Sequence, residues 1–188
     1  MRLLDDPLPY LSHEEPAVRR LAISVCVASG LGSDSVADFR RLVIEDEDGA
    51  VRATAAEALG GTDEESAVVL AHGRDDDDPR VVEAVATAYG ELRDPSAVPW
   101  LIELASTDGD RAGREAAVAA LGAIGDEAAL STLLELVAAG PPQVRRRAVV
   151  ALTVFDDPAA EPAILAAARD RNPSVREAAE MVVGRQPD

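Results

Sequence analysis

Apolar residues fall along this chain in short helical stripes separated by turn residues. Between Arg111 and Leu121 they lie on one side of a helix, and the run Gly122-Ala123-Ile124-Gly125-Asp126 interrupts it. Leu130, Leu133, Leu134 and Val137 then recur at i, i+3, i+4 and i+7, the spacing of a second amphipathic helix. This two-helix unit repeats. Val-Arg-x-x-Ala-x-x-x-Leu-Gly stands almost intact from Val51 to Gly60 and returns with drift from Val18, Val81, Gly113, Val144 and Val175. The six anchors are 33, 30, 32, 31 and 31 residues apart. No useful stretch alternates with period two, so the pattern predicts an all-α chain of about eleven helices.

A single pair of such helices cannot bury its own apolar face, so neighbouring pairs must stack. The expected fold is an α-solenoid of about five to six helix pairs with a period of about 31 residues. One repeat domain is expected over residues 1–188, with a cap over 1–16, repeats starting near 17, 49, 79, 111 and 142, and a half repeat over 173–184. Alanine fills 36 of the 188 positions, which lets helices approach closely. A large residue at Ala56 or Ala117 should overpack the core and cost ~1–3 kcal/mol. Glycine after the last periodic residue predicts C-caps, and Asp34, Asp63, Asp94, Asp126 and Asp157 recur where the next helix needs an N-cap. Pro79, Pro141-Pro142 and Asn172-Pro173 supply helix starts between repeats. Residues 5–11 look like a shortened second helix that caps the stack.

These residues resemble the HEAT-like repeat family of the phycobilin-lyase type. Its repeats read roughly Asp-x-x-Pro-x-Val-Arg-x-x-Ala-x-x-Ala-Leu-Gly and then Gly-Asp-x-x-Ala-Val-x-x-Leu. The segment Asp94-Pro95-Ser96-Ala97-Val98-Pro99-Trp100-Leu101 matches the second half closely. The resemblance runs over residues 12–184 and is weakest in the first repeat, whose helix extends to Gly30. It implies a curved rod with second helices on a concave face and first helices on the convex face, a shape suited to peptides and proteins. It carries no active-site signature. Deoxyhypusine hydroxylase, built from similar repeats, places His-Glu pairs just after the Val-Arg position to hold iron. Here those slots read Ala53-Thr54, Glu83-Ala84, Glu115-Ala116, Arg146-Arg147 and Glu177-Ala178, so no metal and no cofactor is expected.

Charge narrows the partners. Eighteen basic residues, all arginine, oppose 35 acidic ones, a formal net charge of −17. That surplus opposes phosphate-backbone binding and argues against nucleic acid. No apolar run approaches the ~20 residues needed to cross a bilayer, and the first residues lack a signal-peptide core. A cytoplasmic, bacterial protein that does not engage membranes is expected, with a monomer favoured. Cys26, the single cysteine, falls among Ile23, Val25 and Val27 and reads as a small core residue. The acidic runs Glu45-Asp46-Glu47-Asp48 and Asp75-Asp76-Asp77-Asp78 precede helix starts and read as solvated capping loops, not calcium loops. The recurrent arginines Arg19, Arg52, Arg114, Arg145 and Arg176 read as partners of aspartates in neighbouring turns, each exposed pair worth ~0–1 kcal/mol.

The remaining candidates lie on the second helices. Their apolar spacing makes Trp100, Thr132 and Val69 equivalent, and likewise Glu103, Glu135, His72 and Arg41, all pointing away from Leu101, Leu104, Leu133 and Val137. Trp100 is the sole tryptophan, a residue type favoured as a binding anchor. Arg40 and Arg41 form a basic pair near the start of the row. The expected function is a non-catalytic scaffold that binds a protein or peptide partner with a basic segment along the concave groove. The alternative is an enzyme, or the accessory subunit of a lyase-type enzyme handling a cofactor or peptide. His72 with Glu103 and Glu135 is its one convergent titratable set.

Overall fold

A computed structural model describes residues 2–107 and 109–184. Among the described residues are eleven α-helices and no strand, in agreement with the all-α expectation. They divide between two compact units, residues 1–92 and 93–188. The first unit holds α1 (Pro16–Ala28), α2 (Val36–Glu45), α3 (Gly49–Leu59), α4 (Glu64–Leu70) and α5 (Pro79–Leu92). The second holds α6 (Val98–Ser106), α7 (Arg111–Ile124), α8 (Leu130–Ala139), α9 (Pro142–Ala151), α10 (Ala160–Ala167) and α11 (Pro173–Val183).

Each unit has two layers. In the first, α3 packs between α1 and α5, while α2 lies on α3 and α4 lies on both α2 and α5. In the second, α9 packs between α7 and α11, and α8 lies between α6 and α10. Leu59, Val81, Val85 and Tyr89 fill the first core; Leu101, Leu121, Leu133, Val149 and Leu152 fill the second. Cys26 is buried among the α1 core residues, as its neighbours implied. Of the four residues expected beneath the second-helix row, Leu101, Leu133 and Val137 are buried and Leu104 is half-buried.

Carboxylates start most of these helices. Asp48 accepts hydrogen bonds from the amides of Ala50 (2.9 Å) and Val51 (3.1 Å), and Asp110 accepts from Gly113 (3.0 Å). Asp63, Asp94, Asp126 and Asp157 accept equivalent bonds from Ser66, Ser96, Ala128 and Ala159. Each satisfies an amide that has no partner within its own turn. Asp34 departs from the series. It lies inside the 3-10 turn Ser33–Ser35, whose N-cap is Gly32. Gly32 is the residue 31 positions before Asp63 (63 − 32 = 31), so in the first repeat the capping position has no side chain to cap with. Residues 5–11 also differ from expectation. Instead of a second helix, Leu8–Ser12 forms a 3-10 turn against α1, because Pro9 has no amide to bond back to residue 5 and its ring disfavours the α conformation at Leu8.

The glycine of the Leu-Gly pair caps α3 at Gly60 as expected, but does not end α7 at Gly122. α7 continues through Gly122 and ends at Gly125, whose φ of 70° makes the left-handed C-cap. At Gly122 a Cβ would stand 2.7 Å from the Cβ and 2.8 Å from the Cα of Ala151 on α9. Gly122 is therefore a contact point between helices, and Gly60 likewise sits where a Cβ would come within 3.1 Å of the Ala88 Cα on α5. Arg93 stands 32 residues before Gly125 (125 − 93 = 32) and adopts the same left-handed conformation, with φ 52°.

Candidate functional site

In the second unit the second-helix row is built on α6 and α8, which touch. Trp100 and Thr132 are half-buried, and Glu103 and Glu135 are exposed one turn further along. The spacing is one repeat in both cases, and the buried Leu101 and Leu133 anchor the opposite face of each helix. Trp100 is half-buried and makes a contact of its own.

In the first unit, Val69 on α4 is half-buried and His72 is exposed. His72 lies in the 3-10 turn Ala71–Gly73, where its Nδ1 is 3.1 Å from the Val69 carbonyl oxygen. Arg40 and Arg41 on α2 are occupied locally. The Arg40 guanidinium donates to Asp63 and to Glu65 (2.9 Å), both at the start of α4. Arg41 donates to Asp38 and Ser12, each at 3.3 Å. The titratable set His72, Glu103 and Glu135 is thus distributed over the two units, one residue on the first and two on the second.

The recurrent arginines do hold turns, but from buried positions. Arg19 makes a bidentate pair with Asp46 (2.7 Å twice), Arg52 with Asp76 (2.8 Å twice) and Arg145 with Asp170 (2.8 and 2.7 Å). Each also donates to a backbone carbonyl of the turn before its own helix: His13, Asp46 and Gly140 respectively. Arg19 and Arg145 are buried and Arg52 is half-buried, where the charge-assisted bidentate geometry counts for more than at an exposed site. Arg176 donates to the Asp170 carbonyl oxygen (2.8 Å), and Arg114 to that of Ala105 (3.2 Å).

Within the two acidic runs, Asp46 and Asp76 are therefore not solvated caps. They are the half-buried seats of Arg19 and Arg52, and each also accepts the amide two residues on, from Asp48 and Asp78. The hydrogen bond from Arg52 holds the Asp76 carboxyl below its ordinary range, and the bond from Arg145 does the same for Asp170. The pair with Arg80 pulls Asp78 down to about 2. Glu57 moves the other way: desolvation raises it, helped by the nearby Glu83 and Glu91. Among the described residues no cluster of His, Cys, Asp or Glu has the arrangement to hold a metal ion, and no helix is long and apolar enough to cross a membrane.

Sequence reasoning missed two features. Tyr89 is fully buried on α5; its hydroxyl donates to the Ala67 carbonyl oxygen (2.7 Å) and accepts from Arg74 (2.8 Å), tying α5 to α4. The single aromatic in that register was the available signal. The second is a cleft in the second unit beside α10 and α11, lined by Phe155, Ile164, Leu165 and Val182. Its residues belong to different repeats, so no local motif marks it.

The HEAT repeats family matches the chain over residues 4–89, 68–152 and 133–188. Among solved structures, the complex of CpcE and CpcF of phycocyanin lyase from Nostoc sp. PCC7120 is similar, with 21% identity and a TM-score of 0.75, over 96% of this chain and 76% of that one. A designed armadillo repeat protein in complex with the peptide (KR)4 is similar at 15% identity and a TM-score of 0.67, over 96% of this chain and 98% of that one. At these identities the likeness concerns the fold alone. No curated protein matches the chain.

Proposed function

This chain belongs to the HEAT repeat family, and on that footing we propose that it is a non-catalytic interaction module that binds a basic protein or peptide segment on its second-helix face. One observation carries the reading: the arrangement of charge. Arg19, Arg40, Arg41, Arg52, Arg80 and Arg145 lie in ion pairs within the fold. Meanwhile exposed carboxylates such as Glu45, Glu47, Asp75, Asp77, Glu103, Glu127 and Glu135 face water, and the net charge is −17. A surface of this kind attracts cations over several ångströms and speeds their encounter, an effect that salt screens.

On the second unit, Glu103 and Glu135 supply the charge, and Trp100 and Thr132 lie one turn before them on the same helices. On the first, Val69 and His72 occupy the same register, and Arg40 and Arg41 hold the loops at its edge. The (KR)4 peptide bound to the similar designed protein is a suitable probe because its chemistry is what this charge arrangement should select. Titration would be followed by Trp100 fluorescence and by anisotropy of a labelled peptide. Saturable binding should weaken steeply as salt rises, and Glu103→Arg with Glu135→Arg should weaken it at least ~10-fold, as expected when two rim carboxylates become repulsive. Absence of saturable binding below about 1 mM peptide at low salt, or binding indifferent to both substitutions, would overturn the proposal. The alternative, an accessory subunit of a lyase handling a cofactor, takes its support from the likeness to the phycocyanin lyase complex; cofactor absorbance in the purified protein would favour it.

A further inference from the structure

Seven residues, 29–35, link α1 to α2, where four, 60–63, suffice between α3 and α4. An open cleft of about 960 Å³ lies beside the longer link, within the first unit. Its apolar lining includes Val27, which is 51% exposed, Val36 and Ala58. Gly32 and Gly61 also line it. The backbone does not require glycine at either position, since both have negative φ. Packing does not require it either: a Cβ would meet nothing closer than 4.0 Å at Gly32 and nothing within 4 Å at Gly61. The register of Gly61 carries Glu91, Ala123 and Val154 in the next three repeats. The chain is thus bare where side chains could fill the cleft, which allows a ligand to approach the backbone closely.

Negative potential reaches this cleft from two kinds of group. Asp34, Glu57 and Glu91 line it, and all three are exposed. Among the described residues of its lining the cation is Arg40, which is already paired with Asp63 and Glu65. The other source is the helix ends. α1 and α3 both finish beside the cleft, and neither has a basic residue in its last turn, where a cation would offset the unpaired carbonyls. Glu91 even lies against the end of α3, so close that a Cβ on Gly60 would overlap its carboxylate. Glu57 registers the imbalance. Partial desolvation and the like charges of Glu83 and Glu91 raise its pKa, and Arg20 does not offset them.

We propose that this cleft receives an arginine side chain of a partner protein, with its aliphatic stem on Val27 and Val36 and its guanidinium at Glu57, Glu91 and the end of α3. The apolar lining suits the stem of a long basic side chain. A guanidinium is weakly hydrated, keeps its charge when partly desolvated, and can donate to two acceptors at once. A metal ion fits less well, because among the described residues no cluster has the arrangement to hold one. The open cleft also has room for the backbone on either side of the arginine, over the bare glycines. The site shares with the second-helix reading the sign of the partner's charge and the edge residue Arg40, and nothing else.

The test titrates the capped tripeptide acetyl-Gly-Arg-Gly-amide into the isotope-labelled full-length protein at low salt, followed by the amide NMR signals of Gly30, Gly32 and Gly61. The citrulline peptide, which keeps the shape and loses the charge, is the control. Saturable shifts at these glycines are expected, with half-saturation on the order of 1 mM and at least ~5-fold weaker binding of the citrulline peptide. Gly61→Val should leave the urea midpoint unchanged or raised, since its space is open and its φ is ordinary. It should nonetheless weaken binding at least ~5-fold by filling the cleft. Glu57→Gln with Glu91→Gln should weaken it as much by removing charge. Glu103→Arg with Glu135→Arg should leave it within ~2-fold, so that loss of this site and loss of the second-helix site are read separately. If far-UV circular dichroism shows Gly61→Val unfolded, Gly32→Ala replaces it. Three results would overturn the proposal: no saturable shift up to about 10 mM, equal shifts with the citrulline peptide or with magnesium chloride at the same concentration, or unchanged binding by either the glycine or the glutamate variant.

Discussion

Replacing Arg145 by methionine isolates the value of one buried ion pair while keeping an unbranched stem in the core. The guanidinium is 3% exposed and makes three charge-assisted bonds: two to Asp170 at 2.8 and 2.7 Å, and one to the Gly140 carbonyl oxygen at 2.7 Å. Its removal leaves a carboxylate that is 12% exposed without its cation and a turn carbonyl without its donor. Breaking one side of a fully buried pair costs ~3–5 kcal/mol. Asp170 keeps the Asn172 amide at 2.7 Å and retains a path to water, so the expected loss is about 2–4 kcal/mol. Urea unfolding followed by far-UV circular dichroism reads this directly. With a slope of roughly 2 kcal/mol per molar, the midpoint should fall by about 1–2 M. Arg147→Met, two residues on and exposed, should change stability by no more than ~0.5 kcal/mol. The loss should also depend on pH. The Asp170 carboxyl titrates lower in the folded chain than when unfolded, because Arg145 donates to it. Its contribution is therefore complete above the ordinary aspartate value of about 4 and disappears as pH falls from there through the lowered folded value. The gap between wild type and Arg145→Met should close over that acid range. Midpoints for Arg145→Met and Arg147→Met that agree within about 0.2 M at pH 7 would refute the reasoning.

Gly122→Ala should destabilise by ~1–3 kcal/mol through the clash with Ala151, and Ala151→Gly in the same chain should recover part of that loss in urea midpoints. Arg93→Gly should raise stability by ~0.5–1 kcal/mol, because a non-glycine residue is held at positive φ where glycine suffers no Cβ penalty; a lower melting temperature would show that the Arg93 side chain outweighs its backbone strain. Glu57→Gln should stabilise at neutral pH. Glu57 is exposed as a residue, but partial desolvation of its carboxyl and the neighbouring Glu83 and Glu91 raise its pKa in the folded chain, so the ionised form opposes folding above that value and the small advantage of glutamine vanishes as pH falls below it. Unfolding midpoints at pH 7 and pH 4 provide the check.

Much of the helical layout was legible because repetition averages over noise. One register of Val-Arg-x-x-Ala proves little, whereas six at nearly equal spacing identify a helix pair and its buried face together. The arginine–aspartate pairs were also legible, since an arginine recurs near the start of the first helices and an aspartate in the turn 24–27 residues on. Their burial was not, because it depends on how much of α9 or α1 is covered by the next turn. The Leu-Gly pair illustrates a different limit. Glycine after an apolar stripe reads as a C-cap from local chemistry, yet at Gly122 the constraint comes from Ala151, 29 residues away in sequence (151 − 122 = 29).

For the second-helix row, sequence spacing correctly equated Trp100 with Thr132 and Glu103 with Glu135, because equivalent residues of a repeat share an environment. It could not assign degrees of exposure, and it offered no hint that Arg40 would be paired with Asp63 and Glu65 at the start of α4. The cleft beside α10 and α11 was invisible in the sequence, since its lining comes from different repeats. Periodic side-chain chemistry alone thus determined that this chain is helical, paired and stacked, because a 3.6-residue stripe and a 31-residue period each permit one way of removing apolar surface from water. Packing alone decided which of the equivalent positions are covered and which charges are neutralised, because burial and ion pairing belong to contacts between segments and have no counterpart in any one of them.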